Sequence, residues 1–122
     1  MLAIDHVRIG SRNPSNAAAQ LSIILDLAPP RTAGREGEMS CLDMEGQPTL
    51  LFDQAEAVGL EHIAFRVDRE CFDQITARLK EHRIEFGNHP DDPRNGRTDD
   101  WMGREGRVFF VNPDGHLFEV FC

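Results

Sequence analysis

Ile4-Asp5-His6-Val7-Arg8-Ile9 and, 56 positions later, Leu60-Glu61-His62-Ile63-Ala64-Phe65 are the two stretches on which the reading of this chain turns. Both run apolar, acid, histidine, apolar, variable, apolar, which is the two-residue alternation of a half-buried strand. Each is followed within a few residues by a helix start. In the first half Asn13 supplies a cap and Pro14 the first helical position, and Leu21, Ile24, Leu25 and Leu27 form an apolar stripe that Pro29-Pro30 stops. In the second half Asp68 caps a helix in which Phe72, Ile75, Leu79 and His82 fall at helical spacing. A shared order of strand then helix marks a duplicated module, one copy at about 1–55 and the other at about 58–122.

Strand-like runs follow each helix. They lie at 39–44 and 49–52 in the first half, with a weakly marked strand within 31–38, and at 84–86, 107–111 and 117–121 in the second. Each half is therefore expected to be βαβββ, and the fold class α+β. Asn112-Pro113-Asp114-Gly115 places Pro and Gly where a tight hairpin turn needs them. Residues 87–106 carry four Gly, two Pro and charges of both signs. A connection of that length is either a flap over a site or a surface insertion.

Composition narrows the function classes. At 122 residues the chain has room for one domain of two small modules sharing a core. Its 13 Lys and Arg against 21 Asp and Glu give a net charge of −8, which repels polyanions and speaks against nucleic-acid binding. With 40% hydrophobic and 28% charged residues it has the make-up of a folded globular protein. Asp5 and Arg8 interrupt any signal-peptide apolar stretch, and no long apolar run spans a membrane, so a cytoplasmic location is expected. Cys41, Cys71 and Cys122 are odd in number and widely spaced, so neither a disulfide framework nor a cysteine zinc site is indicated.

Alternation along the strands assigns the faces. Val7, Ile9, Leu42, Met44, Ile63, Phe65, Val67, Phe118 and Val120 are expected to pack against the helices. The opposite face then carries Ile4, His6 and Arg8; Cys41, Asp43 and Glu45; His62, Ala64 and Arg66; and Leu117, Glu119 and Phe121. Ionisable groups gathered there cost stability unless the face is solvated or holds a ligand. His6 and His62 occupy equivalent places in the two copies. Two imidazoles with a carboxylate are the ligand set of non-haem iron and of some catalytic zinc sites.

The opening IDHVRI, the LEHIAFRV of the second half and the closing VFFVNPDGHLFEVF together resemble the vicinal oxygen chelate superfamily, which includes glyoxalase I, extradiol dioxygenases, fosfomycin-resistance enzymes and bleomycin-resistance proteins. The resemblance implies paired βαβββ modules forming a cup-shaped mixed sheet with helices outside. It implies a divalent metal, Fe, Mn, Ni or Zn, held by His6, His62 and Glu119, and a small substrate that chelates it through adjacent oxygens. It further implies a homodimer with shared sites, His6 coming from one chain and His62 and Glu119 from the other. Departures from the named activities are as informative. The thiol transferases and extradiol dioxygenases place a tyrosine where this chain has Phe109, and the sequence contains no tyrosine at all. Glyoxalase I adds a carboxylate at or near Leu51, which only a register shift to Asp53 would supply.

The remaining candidates follow from position. Arg8 and Arg66, each two residues beyond a candidate histidine, are placed to grip a substrate anion, or to pair with an acid. Asp43 is the candidate general base. Phe109 and Trp101 are candidate substrate-binding residues, Trp101 together with Met102 as a cap from the long loop. His116 reads as a structural turn residue, His82 as a helix-end residue and His89 as a loop residue. The expected activity is metal-dependent lyase, isomerase or transferase chemistry on a small oxygen-rich anion. The alternative is a non-catalytic binder of the bleomycin-resistance type, for which an aromatic content of 7% offers little stacking surface.

Overall fold

The computed structural model describes all of residues 1–122 and divides into two compact units, Met1–Gly59 and Leu60–Cys122. In the first, Asn13 accepts a hydrogen bond from the Asn16 N–H through its side chain and, with Pro14 next, starts helix α1 (Pro14–Leu25). Before it runs strand β1 (His6–Ser11); after it come β2 (Arg31–Ala33), β3 (Met39–Leu42) and β4 (Thr49–Gln54). The strands form one sheet in the order β1-β4-β3-β2, with β1 parallel to β4 and the other pairs antiparallel. Ala17, Ala18, Leu21 and Ile24 of α1 are buried, as are Ile9, Leu42, Leu50 and Phe52 on the sheet face that α1 covers.

Two details differ from the sequence expectation. Helix α1 ends at Leu25 because Asp26 turns into the left-handed region at φ 56°, with the Leu27 N–H bonding back to Ser22 O. Leu27 therefore lies outside the helix, and Pro29 is not what stops it. Val7, expected in the core, is 37% exposed, whereas Ile9 on the same face of β1 is 1% exposed, so the covered part of this face begins only after Val7.

The second unit repeats the beginning of this plan. Strand β5 (His62–Arg66) leads to helix α2 (Arg69–Glu81), capped by Asp68 through the Cys71 N–H, and then to β6 (Arg107–Val111) and β7 (Leu117–Phe121). The order is β5-β7-β6, with β5 parallel to β7 and β6 antiparallel to it. The duplication extends to the register. His6 faces Thr49 as His62 faces Leu117, and the acids Asp5 and Glu61 each accept, through the backbone carbonyl, from the first N–H of the parallel partner strand.

The strand expected at 84–86 is absent, so this unit is βαββ. Gly87 alone pairs with Phe109, in both directions, while the Phe86 carbonyl accepts from the Gly96 N–H. The loop folds back so tightly that a Cβ on Gly87 would lie 2.4 Å from Asp92 O, and the loop's own backbone takes the place of a further strand. Residues 112–115 do form the expected turn: the Gly115 N–H bonds to Asn112 O, and Gly115 adopts φ 91°, which a side chain would strain.

Gly106 meets a different constraint, because a Cβ there would sit 2.6 Å from the buried Phe72 ring. Gly106→Ala is expected to cost about 1–3 kcal/mol through overpacking, measurable as a lowered urea midpoint with an unchanged slope.

Candidate metal centre

Strand pairing sets which side chains share a face. In the second unit Ala64, Glu119 and Phe109 are cross-strand partners, so His62, Arg66, Leu117, Phe121 and Arg107 project from the same side of the sheet. Ile63, Phe65, Phe118, Val120, Phe110 and Val108 occupy the other. On the first face His62 Nε2 lies 2.8 Å from Glu119 Oε1, while the Phe109 ring packs edge-on to the imidazole at 6.0 Å. His62 is half exposed and the Glu119 carboxylate nearly covered, so the pair sits at the margin between core and solvent.

What covers Glu119 is a residue that the sequence reading passed over. Arg107, with a side chain 6% exposed, donates from Nη1 to Glu119 Oε2 and from Nε to Asp100 Oδ1 at 2.9 Å. Its Nη2 reaches Asp100 Oδ2 at 3.3 Å, and its guanidinium carbon lies 4.6 Å from the centre of the Phe121 ring. Asp100 is itself held by the backbone N–H groups of Met102 and Arg104. The result is a continuous path from loop backbone through Asp100, Arg107 and Glu119 to His62. Alternation alone would have placed Arg107 beside Glu119, two residues before Phe109 across a recognised hairpin.

Burial acts against the Asp100 charge, but Arg107 and the two backbone donors outweigh it and hold the carboxyl below its ordinary value. Burial likewise opposes the Arg107 charge, and Asp100 followed by Glu119 outweighs it. A depressed carboxyl pKa contributes stability that is present above the unfolded value and lost as pH falls through the folded one. Urea midpoints are therefore expected to fall once pH drops below about 4, with a shallower decline in Asp100→Asn.

The long loop is pinned. Asn88 and Asn95 bond to each other, Asn88 also donates to Asp99 O, and Trp101 Nε1 donates to Asn88 O at 2.6 Å. Trp101 stacks at 5.0 Å on His89 and is 53% exposed, with Met102 beside it 61% exposed. His116 is buried and accepts the Glu61 N–H at Nδ1, in keeping with a structural role.

In the first unit His6, Arg8, Leu51, Asp53, Cys41 and Asp43 share the corresponding face. Arg8 is engaged by Asp53, the acid residue of the intrasheet pair. Asp43 takes two hydrogen bonds from Arg31 and one from Thr49, which hold it below its ordinary value and make it a weaker base. Arg66, by contrast, is exposed and has no ion-pair partner. His6 Nδ1 lies 2.8 Å from Asp5 Oδ2, and the imidazole is about half exposed.

Nowhere in the chain do three or more His, Cys, Asp or Glu side chains gather closely enough to hold a metal ion among themselves. The structure brings together His62 and Glu119, and His6 is carried on the other unit. The two that meet do suit a divalent ion. Their donor atoms lie 2.8 Å apart, a hydrogen-bond contact, and by its chemistry an imidazole with a carboxylate is a donor pair for Fe, Mn, Ni or Zn.

No protein-family model matches the sequence, and no curated protein matches it. Solved structures do. Oxidase ChaP-H1 is 26% identical with a TM-score of 0.87, over 98% of this chain and 94% of that one. The fosfomycin resistance protein FosX from Listeria monocytogenes is 18% identical with a TM-score of 0.73, over 99% and 93%. A glyoxalase/dioxygenase from Nostoc punctiforme is 18% identical with a TM-score of 0.71, over 98% and 89%. With two helices, two mixed sheets and neighbours of these kinds, the chain has the fold of the vicinal oxygen chelate superfamily.

Proposed function

We propose that this protein is a metal-dependent enzyme acting on a small, oxygen-rich, anionic substrate, with His62, Glu119 and His6 as ligands of a divalent Fe, Mn, Ni or Zn ion. The observation that carries this reading is the His62–Glu119 donor pair, in which a half-exposed imidazole meets a nearly covered carboxylate fixed from behind by Arg107. The Asp5 contact to His6 Nδ1 supports the third ligand, since metal-binding imidazoles commonly give their other nitrogen to a carboxylate. When bound, such an ion supplies Lewis-acid stabilisation of an oxyanion. The chain's own groups then orient the substrate. Arg66, exposed and unpaired, suits an anionic end, whereas Arg8 is occupied by Asp53. Phe109 walls the site beside His62, and Trp101 with Met102 offers an apolar cap.

We further propose a homodimer in which His6 of one copy shares a site with His62 and Glu119 of the other. Strands β1 and β5 are both sheet edges, and Met1, Leu2, Ile4 and Leu60 are exposed apolar residues beside them. Three free cysteines accord with a reducing, cytoplasmic setting, and no helix is long and apolar enough to cross a membrane.

One observation favours a second reading, a non-catalytic small-molecule binder: Arg107 and His62 already satisfy Glu119 without a cation. Elemental analysis of protein purified without added metal separates the two. About one divalent ion per chain is expected. Protein that stays free of metal after incubation with all four ions is a binder.

A further inference from the structure

We infer that Arg107 is a positioning residue that restricts Glu119 to ligation through a single oxygen, so that a bound ion keeps room for a substrate offering two. The inference rests on the metal-ligand reading above and adds a role for a residue outside the ligand set. Arg107 is clamped on three sides. Nε and Nη2 are fixed on Asp100, the Phe121 ring covers one side of the guanidinium, and Nη1 holds Glu119 Oε2. Asp100 cannot drift either, because the Met102 and Arg104 amides grip its two oxygens. With Oε2 committed, only Oε1 faces His62 Nε2 at the half-exposed end of the path.

The two oxygens of Glu119 are thereby made unequal. Asp100 and Glu119 share the one guanidinium of Arg107, which holds Oε2, and Oε1 is left to the half-exposed imidazole of His62. A free carboxylate in the same place could close on an ion with both oxygens and fill a position that a two-oxygen substrate needs.

The test uses full-length protein loaded with Co(II), whose visible absorption reports its ligands, and two probes: acetohydroxamate, which binds through two oxygens, and azide, which binds through one atom. Because Arg107→Met strands Asp100 in the interior, the double variant Asp100→Asn/Arg107→Met is measured beside it. Wild-type protein should bind both probes. The double variant should keep its cobalt and its azide affinity but bind acetohydroxamate about tenfold or more weakly. Undiminished acetohydroxamate binding in the double variant overturns the role of Arg107 and leaves the metal site standing. An equal loss of both probes also overturns it, as a general loosening. Wild-type protein that takes up no cobalt removes the metal reading and this inference together.

Discussion

Glu119→Ala and His62→Ala are each expected to lower affinity for a divalent ion by about 100-fold or more, since even the partners of metal ligands are commonly worth 10–100-fold. His6→Ala should do the same if His6 completes the set. The effects on folding should differ. His6 and His62 are at least half exposed, so their loss touches little packing. Glu119→Ala leaves Arg107 buried but still neutralised by Asp100, which limits the damage. Zinc competition against a chromophoric chelator gives the affinities, and thermal melts report the folding. Mixing His6→Ala with Glu119→Ala protein adds a topological test, since a site shared between copies regains one intact ligand set per heterodimer. Full metal retention in all three variants would show that the ligands lie elsewhere.

The largest stability effects should come from Asp100 and Arg107. Asp100→Ala leaves a covered guanidinium with Glu119 alone and removes the acceptors of two backbone amides; Arg107→Met strands two carboxylates. Breaking a buried ion pair from one side costs about 3–5 kcal/mol, a fall in Tm on the order of 10–20 °C for a chain of this size. The double variant Asp100→Asn/Arg107→Met should recover part of that loss, because it removes the Asp100 charge together with that of Arg107 and leaves only Glu119, still in contact with His62, without its guanidinium partner. Circular-dichroism melts of wild type, Asp100→Asn, Arg107→Met and the double variant form the necessary cycle. Additive losses would mean that the two side chains contribute independently rather than as a pair.

Local patterns carried most of the fold. Asn13 and Asp68 announce helices because a cap acts over three residues, and residues 112–115 announce a turn for the same reason. The face shared by His62 and Glu119 was readable because strand alternation has a period of two. The run at 84–86 failed as a strand because its outcome depended on loop atoms, Gly96 N and the backbone around Asp92, that no short window reveals. Arg107 was overlooked for a related reason. As the first residue of the 107–111 run, next to Glu105 and Gly106, it reads as a solvated strand end, and its burial depends on Asp100 from the loop and on Glu119 and Phe121 from β7. Asp43 and Arg8 looked available for chemistry until Arg31 and Asp53 proved to be their partners.

Trp101, tied by its indole nitrogen to Asn88, is the one tryptophan in a chain without tyrosine. Residues 1–59 therefore hold neither a tryptophan nor a tyrosine emitter, and every photon detected at tryptophan wavelengths originates in the second unit. Far-ultraviolet ellipticity draws on both helices, one in each half. Recording the two signals on a single sample thus distinguishes concerted melting from stepwise melting with no label and no engineered chromophore.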